Sequence, residues 1–142
     1  MRFKIIPEVH LFLRSGNSIL MLRRYQTGYR DGYYSLVAGH VDGNETFRAA
    51  MTREASEEAG LSIHADDMEL VHTIHRMADE ERLSLFFEVN KWQGQPVNME
   101  PEKCDDIGWF NMDAMPENTV PYVALAIRHI LSGKNYSEYG WH

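Results

Sequence analysis

The sequence predicts an α+β fold in which a mixed β-sheet carries helices packed on its faces. Strand-like runs recur along most of the chain, and only two segments show the helical period. The 142 residues, 44% of them hydrophobic, are enough for one domain with a sizeable core. No repeat, low-complexity tract or Gly-, Pro- or Ser-rich linker divides them. We therefore expect a single domain over residues 1–142.

The first half of the chain predicts a hairpin, a short strand and a capped helix. The two hairpin strands are aliphatic and β-branched runs separated by Ser-Gly-Asn, a tight-turn signal. The short strand runs into Gly39, and Gly60 closes the helix. In chain order, these elements are predicted at residues 3–13, 18–24, 34–37 and 45–59.

The second half predicts three strands and one more helix. Apolar residues at every second position from Leu83 to Val89 are typical of a strand with one buried face. The helix has Val123, Ile127 and Ile130 on one side. The strands are predicted at residues 69–77, 83–92 and 107–111, and the helix at 120–131. The aromatic segment after it is left without a predicted element.

Charge and composition limit the class of protein. Fourteen Lys and Arg against 21 Asp and Glu give a net charge of −7, the wrong sign for binding a long nucleic acid through its phosphates. The single cysteine, Cys104, forms no internal disulfide, and the histidines lack zinc-finger spacing around it. No run of 18 apolar residues occurs. We expect a cytoplasmic protein that binds neither membranes nor nucleic acid.

The first predicted helix carries three clustered carboxylates. Glu54, Glu57 and Glu58 are three or four residues apart or adjacent, so they project to one side of the helix. Like charges at this spacing cost roughly 0.2–0.5 kcal/mol per pair in a solvated helix. A divalent cation such as Mg²⁺ or Mn²⁺ would compensate for that repulsion, because both ions prefer oxygen ligands. Taken alone, however, a Glu-rich helix is more often a solvated acidic face than a metal site.

The spacing of the whole segment favours the metal site. It resembles the signature of the Nudix hydrolase family at every fixed position: Gly39-x5-Glu45-x7-Arg53-Glu54-Ala55-Ser56-Glu57-Glu58-Ala59-Gly60-Leu61. The family commonly has further glycines at two places where this chain has Ala38 and Asn44. Asn is the side-chain-bearing residue that best tolerates the left-handed backbone, so the second change is mild.

The resemblance implies an α/β/α sandwich around a mixed sheet. It also implies that water attacks a phosphoanhydride of a nucleoside diphosphate linked to a further group X. By matching position, Glu54, Glu57 and Glu58 are catalytic residues and metal ligands, and the Gly39 carbonyl is a backbone ligand. Arg53, also counted as catalytic, orients a glutamate. Glu45, the first signature glutamate, braces the loop on the helix. The implied cofactor is Mg²⁺, with Mn²⁺ as an alternative.

A later segment resembles the MutT-like branch of the family. Residues 92–100 contain a tryptophan, a glycine and a proline before Glu100, as does the segment that supplies a metal-binding glutamate in that branch. Glu100 is therefore a predicted metal ligand. The alternative is an exposed loop carboxylate, in which case Glu102 or Asp105 is an equally good candidate.

Three residues are predicted to bind the substrate. Arg23 and Arg24 end the second strand, where the MutT-like branch has an arginine that contacts the nucleotide, and Arg30 and Arg82 are alternatives. Asn118 resembles a base-reading asparagine, and its amide could pair with a purine edge. Simple exposure of the arginines and helix capping by Asn118 are the competing interpretations.

The leading functional hypothesis is a pyrophosphohydrolase that converts a nucleoside triphosphate to the monophosphate and pyrophosphate. Hydrolysis of ADP-ribose or of a nucleotide sugar is the alternative within the same chemistry. A nucleotide-sensing or interaction domain is the alternative outside enzymes. Such domains usually lack a signature glutamate, and none is missing here. The partner is then a small nucleotide, and family precedent also makes a homodimer reasonable.

Overall fold

The computed structural model describes residues 2–142, so residue 1 of the predicted domain lies outside the described part. The strands are β1 (Ile6–Ser15), β2 (Ser18–Arg24), β3 (Tyr34–Ser35), β4 (Ala38–His40), β5 (Glu69–Met77), β6 (Glu81–Val89), β7 (Cys104–Asn111) and β8 (Tyr136–Tyr139). The helices are α1 (Phe47–Ala59) and α2 (Pro121–Leu131), and a short 3-10 turn covers Ala65–Asp67. The predicted α+β class is confirmed.

The strands form one mixed sheet organised around β1. Its order is β3-β2-β1-β6-β5-β8, with β4 also paired to β1 and β7 to β2. Along one edge β1 runs parallel to β6. Along its other edge it is antiparallel to β4 near its start and to β2 at its end. Within residues 2–142 nothing pairs with the outer edge of β4, so this short strand ends the sheet there.

A helix covers each face of the sheet, which confirms the expected α/β/α sandwich. Alternate residues of β1 point to opposite faces, so Val9 and Leu11 pack with α1 whereas Phe12 packs with α2. The buried contribution of α1 comes from Ala50, Met51, Ala55 and Ala59, and that of α2 from Tyr122, Val123, Ala126 and Ile127. No helix in residues 2–142 is long and apolar enough to cross a membrane.

Helix α1 begins two residues later than predicted. The Thr46 hydroxyl accepts a hydrogen bond from the backbone N–H of Ala49 at 3.1 Å and caps the helix, which leaves Glu45 in the preceding loop. At the other end Gly60 adopts a left-handed φ of 66°, as its predicted capping role requires. Phe47, the first residue of the helix, is 40% exposed.

The C-terminal half differs from the prediction at several element bounds and in one additional strand. Strand β6 ends at Val89 rather than at residue 92, and β7 begins at Cys104 rather than at residue 107. The predicted start of α2 at Val120 is its N-cap. The C-terminal aromatic segment forms β8, which pairs in parallel with β5. As a four-residue strand with no buried residue, β8 shows no apolar alternation in the sequence.

We expect Thr46→Ala to lower the free energy of unfolding by about 1 kcal/mol, because the backbone N–H of Ala49 loses its acceptor. Urea unfolding followed by circular dichroism measures the change. Thr46→Ser, which keeps the hydroxyl, is the control and should stay close to wild type. Equal stabilities for the alanine and serine variants would contradict the capping role.

Candidate active site

The predicted carboxylates border one cavity of about 920 Å³. Glu54, Glu57 and Glu58 line it from α1, and Glu100 lines it from the loop before β7. Strand β4 also lines it, from Ala38 to His40. The structure thus brings every predicted metal-ligating residue to one cavity, although their roles as ligands stay predictions.

A single guanidinium, that of Arg53, organises this acidic end. Its Nη1 donates to Glu54 Oε1 at 2.8 Å and to Glu57 Oε2 at 3.3 Å. Its Nε and Nη2 donate to the two carboxylate oxygens of Glu45 at 3.2 and 2.8 Å, and Nη2 also reaches the His40 carbonyl at 3.2 Å. The hydrogen bond to Glu45 is the main cause that raises the pKa of Arg53, so this cation stays charged.

Glu45 ties the loop before α1 to the helix. Besides pairing with Arg53, its Oε1 accepts from the backbone N–H of Asp42 at 2.8 Å. Asn44, where the family commonly has glycine, takes a left-handed φ of 66°, as its expected tolerance of that backbone allows. The Glu45 carboxylate therefore holds the loop to the helix, because it accepts hydrogen bonds from the loop backbone at Asp42 and from Arg53 on the helix.

Strand β4 lies so close to the carboxylates that a side chain at position 39 would displace the carboxylate of Glu54. A methyl group on Gly39 would overlap the carboxylate of Glu54. The neighbouring backbone N–H of Ala38 donates to Glu58 Oε1 at 3.3 Å. The absence of a side chain at Gly39 thus lets the helix carboxylates approach the β4 backbone, where the predicted carbonyl ligand lies.

Glu58 has the most perturbed carboxyl in the cluster. Burial raises its pKa to about 10, and the hydrogen bond and negative charge of Glu54 act in the same direction, as does the charge of Glu100. Glu58 therefore keeps its proton at neutral pH when no cation is near, because two close carboxylates cannot both ionise cheaply. This is the repulsion that the clustered sequence positions predicted.

The donor set fits a hard divalent cation such as Mg²⁺, since it consists of carboxylate oxygens whose mutual repulsion a cation would relieve. Within residues 2–142, however, no three His, Cys, Asp or Glu side chains converge on one point. Arg53 occupies one oxygen each of Glu54 and Glu57. Ligation by the whole set therefore requires side chains to rotate.

Main-chain hydrogen bonds from a later loop place Glu100 beside this cluster. The N–H groups of Val97 and Met99 donate to the carbonyls of Ala59 and Glu58 at 2.9 and 3.2 Å, which satisfies the end of α1. Asn98 accepts from the N–H of Glu100 at 3.0 Å and donates to the Cys104 carbonyl at 2.7 Å. Sequence reasoning missed the positioning role of Asn98.

The predicted substrate-binding residues lie in different surroundings. Arg24 borders the cavity, but its Nε donates to the Tyr29 carbonyl at 2.7 Å and so supports the cavity loop. Arg23, next along β2, pairs with Asp105 at 2.7 Å outside the cavity.

Asn118 also lies outside the cavity, where its amide donates to the Gly32 carbonyl at 2.7 Å. Its alternative as a helix cap is wrong, because Val120 is the N-cap of α2. Binding of the substrate by Arg23, Arg24 and Asn118 stays a prediction.

Sequence reasoning missed most of the cavity wall on the α2 face of the sheet. It consists of Glu8 and His10 from β1, Arg76 from β5, Arg82 from β6 and Tyr122 from α2. Of these residues, only Arg82 is among the sequence-based candidates, as an alternative substrate-binding arginine. The available signal was the presence of Glu8 and His10 at alternate positions of an otherwise apolar strand, which places both side chains on one face.

His10 is fully buried and neutral in this wall. Burial lowers its pKa to about 4, and the charge of Arg76 also lowers it while that of Glu8 opposes the shift. Its Nε2 pairs with the Tyr122 hydroxyl at 2.8 Å. Its Nδ1 is the only fully buried side-chain nitrogen or oxygen in residues 2–142 without a hydrogen-bond partner. Protonation of His10 therefore opposes folding.

We expect the free energy of unfolding to decrease as the pH falls from 6.5 towards 4. The unfolded chain takes up a proton on His10 in this range while the folded chain does not, at a cost of up to about 3 kcal/mol. Urea unfolding at a series of pH values measures the slope. His10→Gln should flatten it, and His64→Gln, at an exposed site, should not. An unchanged slope in His10→Gln would contradict the buried neutral state.

Comparison with known proteins agrees with this geometry. Among sequence relatives, the "NAD-capped RNA hydrolase NudC" of Chromobacterium violaceum is 25% identical over 128 residues, covering 90% of this chain and 45% of the relative. That of Erwinia tasmaniensis is 28% identical over 113 residues, covering 80% of this chain and 41% of the relative. The chain thus spans less than half the length of these two relatives.

Solved structures share the fold. The MutT NUDIX hydrolase from Burkholderia pseudomallei superimposes with a TM-score of 0.82 at 21% identity, covering 89% of this chain and 98% of that one. The E. coli ORF135 protein superimposes with a TM-score of 0.78 at 20% identity, covering 91% of this chain and 90% of that one. The NUDIX domain profile matches residues 5–130. The chain therefore belongs to the Nudix hydrolase family.

Proposed function

We propose that residues 1–142 form one domain that hydrolyses, with Mg²⁺, a phosphoanhydride bond in a nucleoside diphosphate linked to X. The preferred substrate is a nucleoside triphosphate, which yields the monophosphate and pyrophosphate. The observation that carries the proposal is the complete set of signature side chains around Arg53, at the border of a cavity large enough for a nucleotide. A domain that had lost catalysis would not need all of these carboxylates.

The main obstacle to this reaction is charge, since a polyphosphate repels both a negatively charged protein and an attacking water oxygen. A bound Mg²⁺ would neutralise the phosphate oxygens and lower the pKa of the attacking water. The residues that would hold it are Glu54, Glu57, Glu58 and Glu100, with the Gly39 carbonyl, and Mn²⁺ suits the same oxygen donors.

The remaining parts of the mechanism belong to the chain itself. Arg53 holds Glu54 and Glu57 in place and ties them to the loop through Glu45. Glu57 lines the cavity, and about half of its side chain is exposed. The carboxylate oxygen that Arg53 does not bind can therefore accept a proton from water. Glu100 approaches from the opposite loop, close enough for its charge to act on Glu58.

A second candidate is hydrolysis of a nucleoside diphosphate joined to a sugar or to a second nucleoside, as in ADP-ribose or a nucleotide sugar. The names of the sequence relatives favour it, because they describe hydrolases of NAD-capped RNA. The products distinguish the candidates: the triphosphate reaction releases pyrophosphate, whereas this one releases the phosphate of X together with a nucleotide.

We expect wild type with Mg²⁺ to turn over at least one member of a panel of nucleoside triphosphates, dinucleoside polyphosphates and nucleotide sugars. Glu57→Gln should lower kcat by about 100-fold or more, since a metal and proton-transfer group is lost. Products are identified by chromatography. Glu69→Gln, exposed at the start of β5, is the control and should keep full activity. No turnover, or full activity of Glu57→Gln, would overturn the proposal.

We expect Glu100→Gln to lower kcat by about tenfold or more with little change in folding stability, because this carboxylate borders the cavity beside Glu58. Glu102→Gln is the matched control two residues away, outside the cavity, and should behave as wild type. Steady-state kinetics with saturating Mg²⁺ measures both. Wild-type kcat in Glu100→Gln would remove this residue from the site.

A further inference from the structure

The cavity continues past the edge of β4 to a second polar wall that the signature does not include. In the pairing of β1 with β4, Val9 lies opposite Gly39, and Glu8 lies opposite His40. Opposite residues share a face, so Gly39 faces α1 and the carboxylates, whereas Glu8 faces α2. A ligand that fills the cavity therefore extends around the free edge of β4, from one face of the sheet to the other.

Arg76 is fixed in the middle of this second wall. Its Nη2 donates to Glu8 Oε1 at 2.7 Å, and its Nε donates to Ser84 Oγ at 3.3 Å. Its guanidinium lies over the Tyr122 ring, 3.8 Å from the ring centre. Only 6% of the side chain is exposed. Charge pairing, hydrogen bonding and stacking thus hold the plane of the guanidinium in one orientation.

One nitrogen of Arg76 remains available. Within residues 2–142 Nη1 makes no hydrogen bond, whereas Nε and Nη2 are both paired. Nη1 is not sealed in the core either, because His10 Nδ1 is the only fully buried side-chain nitrogen or oxygen without a partner. Since Arg76 borders the cavity, Nη1 is the nitrogen of this side chain that remains for a ligand there.

The charges of this wall favour a neutral acceptor over another phosphate. Glu8 receives donors on both oxygens, from Arg76 at 2.7 Å and from Arg82 at 2.9 Å. Arg82 also pairs with Asp79 at 3.1 Å. The two arginines face Glu8 and Asp79, and Glu80 lies 3.9 Å from Arg82, so the group carries no net positive charge and contributes directed N–H donors, not a positive field.

We propose that Arg76 is a specificity-determining residue whose Nη1 donates to an acceptor atom of the group attached to the phosphates, on the α2 side of β4. The ligand chemistry is an acceptor oxygen or nitrogen with a free lone pair. A nucleobase carbonyl fits the neutral wall, and a phosphate on X is the other source of such an oxygen. This inference rests on the proposed function, which places the phosphates at the carboxylates of α1.

The test measures binding without metal and without turnover. Uridine and guanosine monophosphates, which carry base carbonyls, are titrated into wild type and Arg76→Lys by NMR, with ribose 5-phosphate as the ligand without a base. Lys keeps the charge beside Glu8 but lacks the planar donors. We expect the variant to bind both nucleotides about 10- to 100-fold more weakly and ribose 5-phosphate unchanged. Ser84→Ala, which leaves Nη1 in place, should retain most of the nucleotide affinity.

Other results of this test would overturn all or part of the proposal. Unchanged nucleotide binding in Arg76→Lys, or the same loss for ribose 5-phosphate, would overturn the proposal. A loss confined to a base-free ligand with a further phosphate, such as ribose 1,5-bisphosphate, would identify phosphate as the acceptor and overturn the nucleobase assignment. If the variant does not fold, the guanidinium NMR signals of Arg76 in wild type decide: uridine monophosphate should shift them and ribose 5-phosphate should not.

Hydrolysis is measured in a separate experiment, so that the proposed function and the proposed role of Arg76 can fail independently. Wild type that hydrolyses no phosphoanhydride but binds nucleotides through Arg76 would contradict the proposed function and leave this inference standing. If wild type and Arg76→Lys hydrolyse nucleotides with the same KM and kcat for every base, this inference alone is contradicted. The inference predicts a rise in KM that depends on the nucleobase, with kcat nearly constant.

Discussion

The site depends on the pairing of one guanidinium with three carboxylates. Arg53 reaches Glu45, Glu54 and Glu57 at once, and it also binds the His40 carbonyl at the end of β4. Without that charge the clustered carboxylates of α1 would repel one another and the loop before the helix would lose its main anchor. Because the group is partly buried, these contacts are screened less than surface ion pairs and order both the loop and the acidic face.

The short strand β4 converts this local order into a functional shape. It pairs with β1 on one edge only, and Gly39 allows the carboxylates to lie against its backbone. The cavity therefore has two chemically distinct ends, an acidic one under α1 and a neutral, donor-rich one beside α2. In the proposed function a cation would act at the first end while the second end would contact the group that the phosphates carry, which would separate the reaction chemistry from substrate choice.

The sequence predicts the elements with strong local patterns and misses those defined by distant contacts. Helix α1 and its carboxylates follow from spacing within one turn, and even the error at Glu45 is local, since the Thr46 cap decides the helix start. Strand β8 has no local pattern, because its position depends on pairing with β5, far away in the sequence. Arg76, likewise, meets Glu8 from 68 positions away, and no periodicity encodes that contact. The sequence thus signals that Glu8 and His10 share a face, but only the structure shows that Arg76 joins them in the second wall.

The central claim is that the carboxylates around Arg53 form a divalent-cation site, and Mn²⁺ binding followed by electron paramagnetic resonance tests it most directly. Wild type and Glu58→Gln are titrated with Mn²⁺, and the signal of the free ion is recorded. Gln copies the shape and neutral state of the protonated Glu58 carboxyl, so the variant should fold normally. The account predicts saturable binding by wild type and at least about tenfold weaker binding by the variant. No binding by wild type, or equal binding by both proteins, would contradict it.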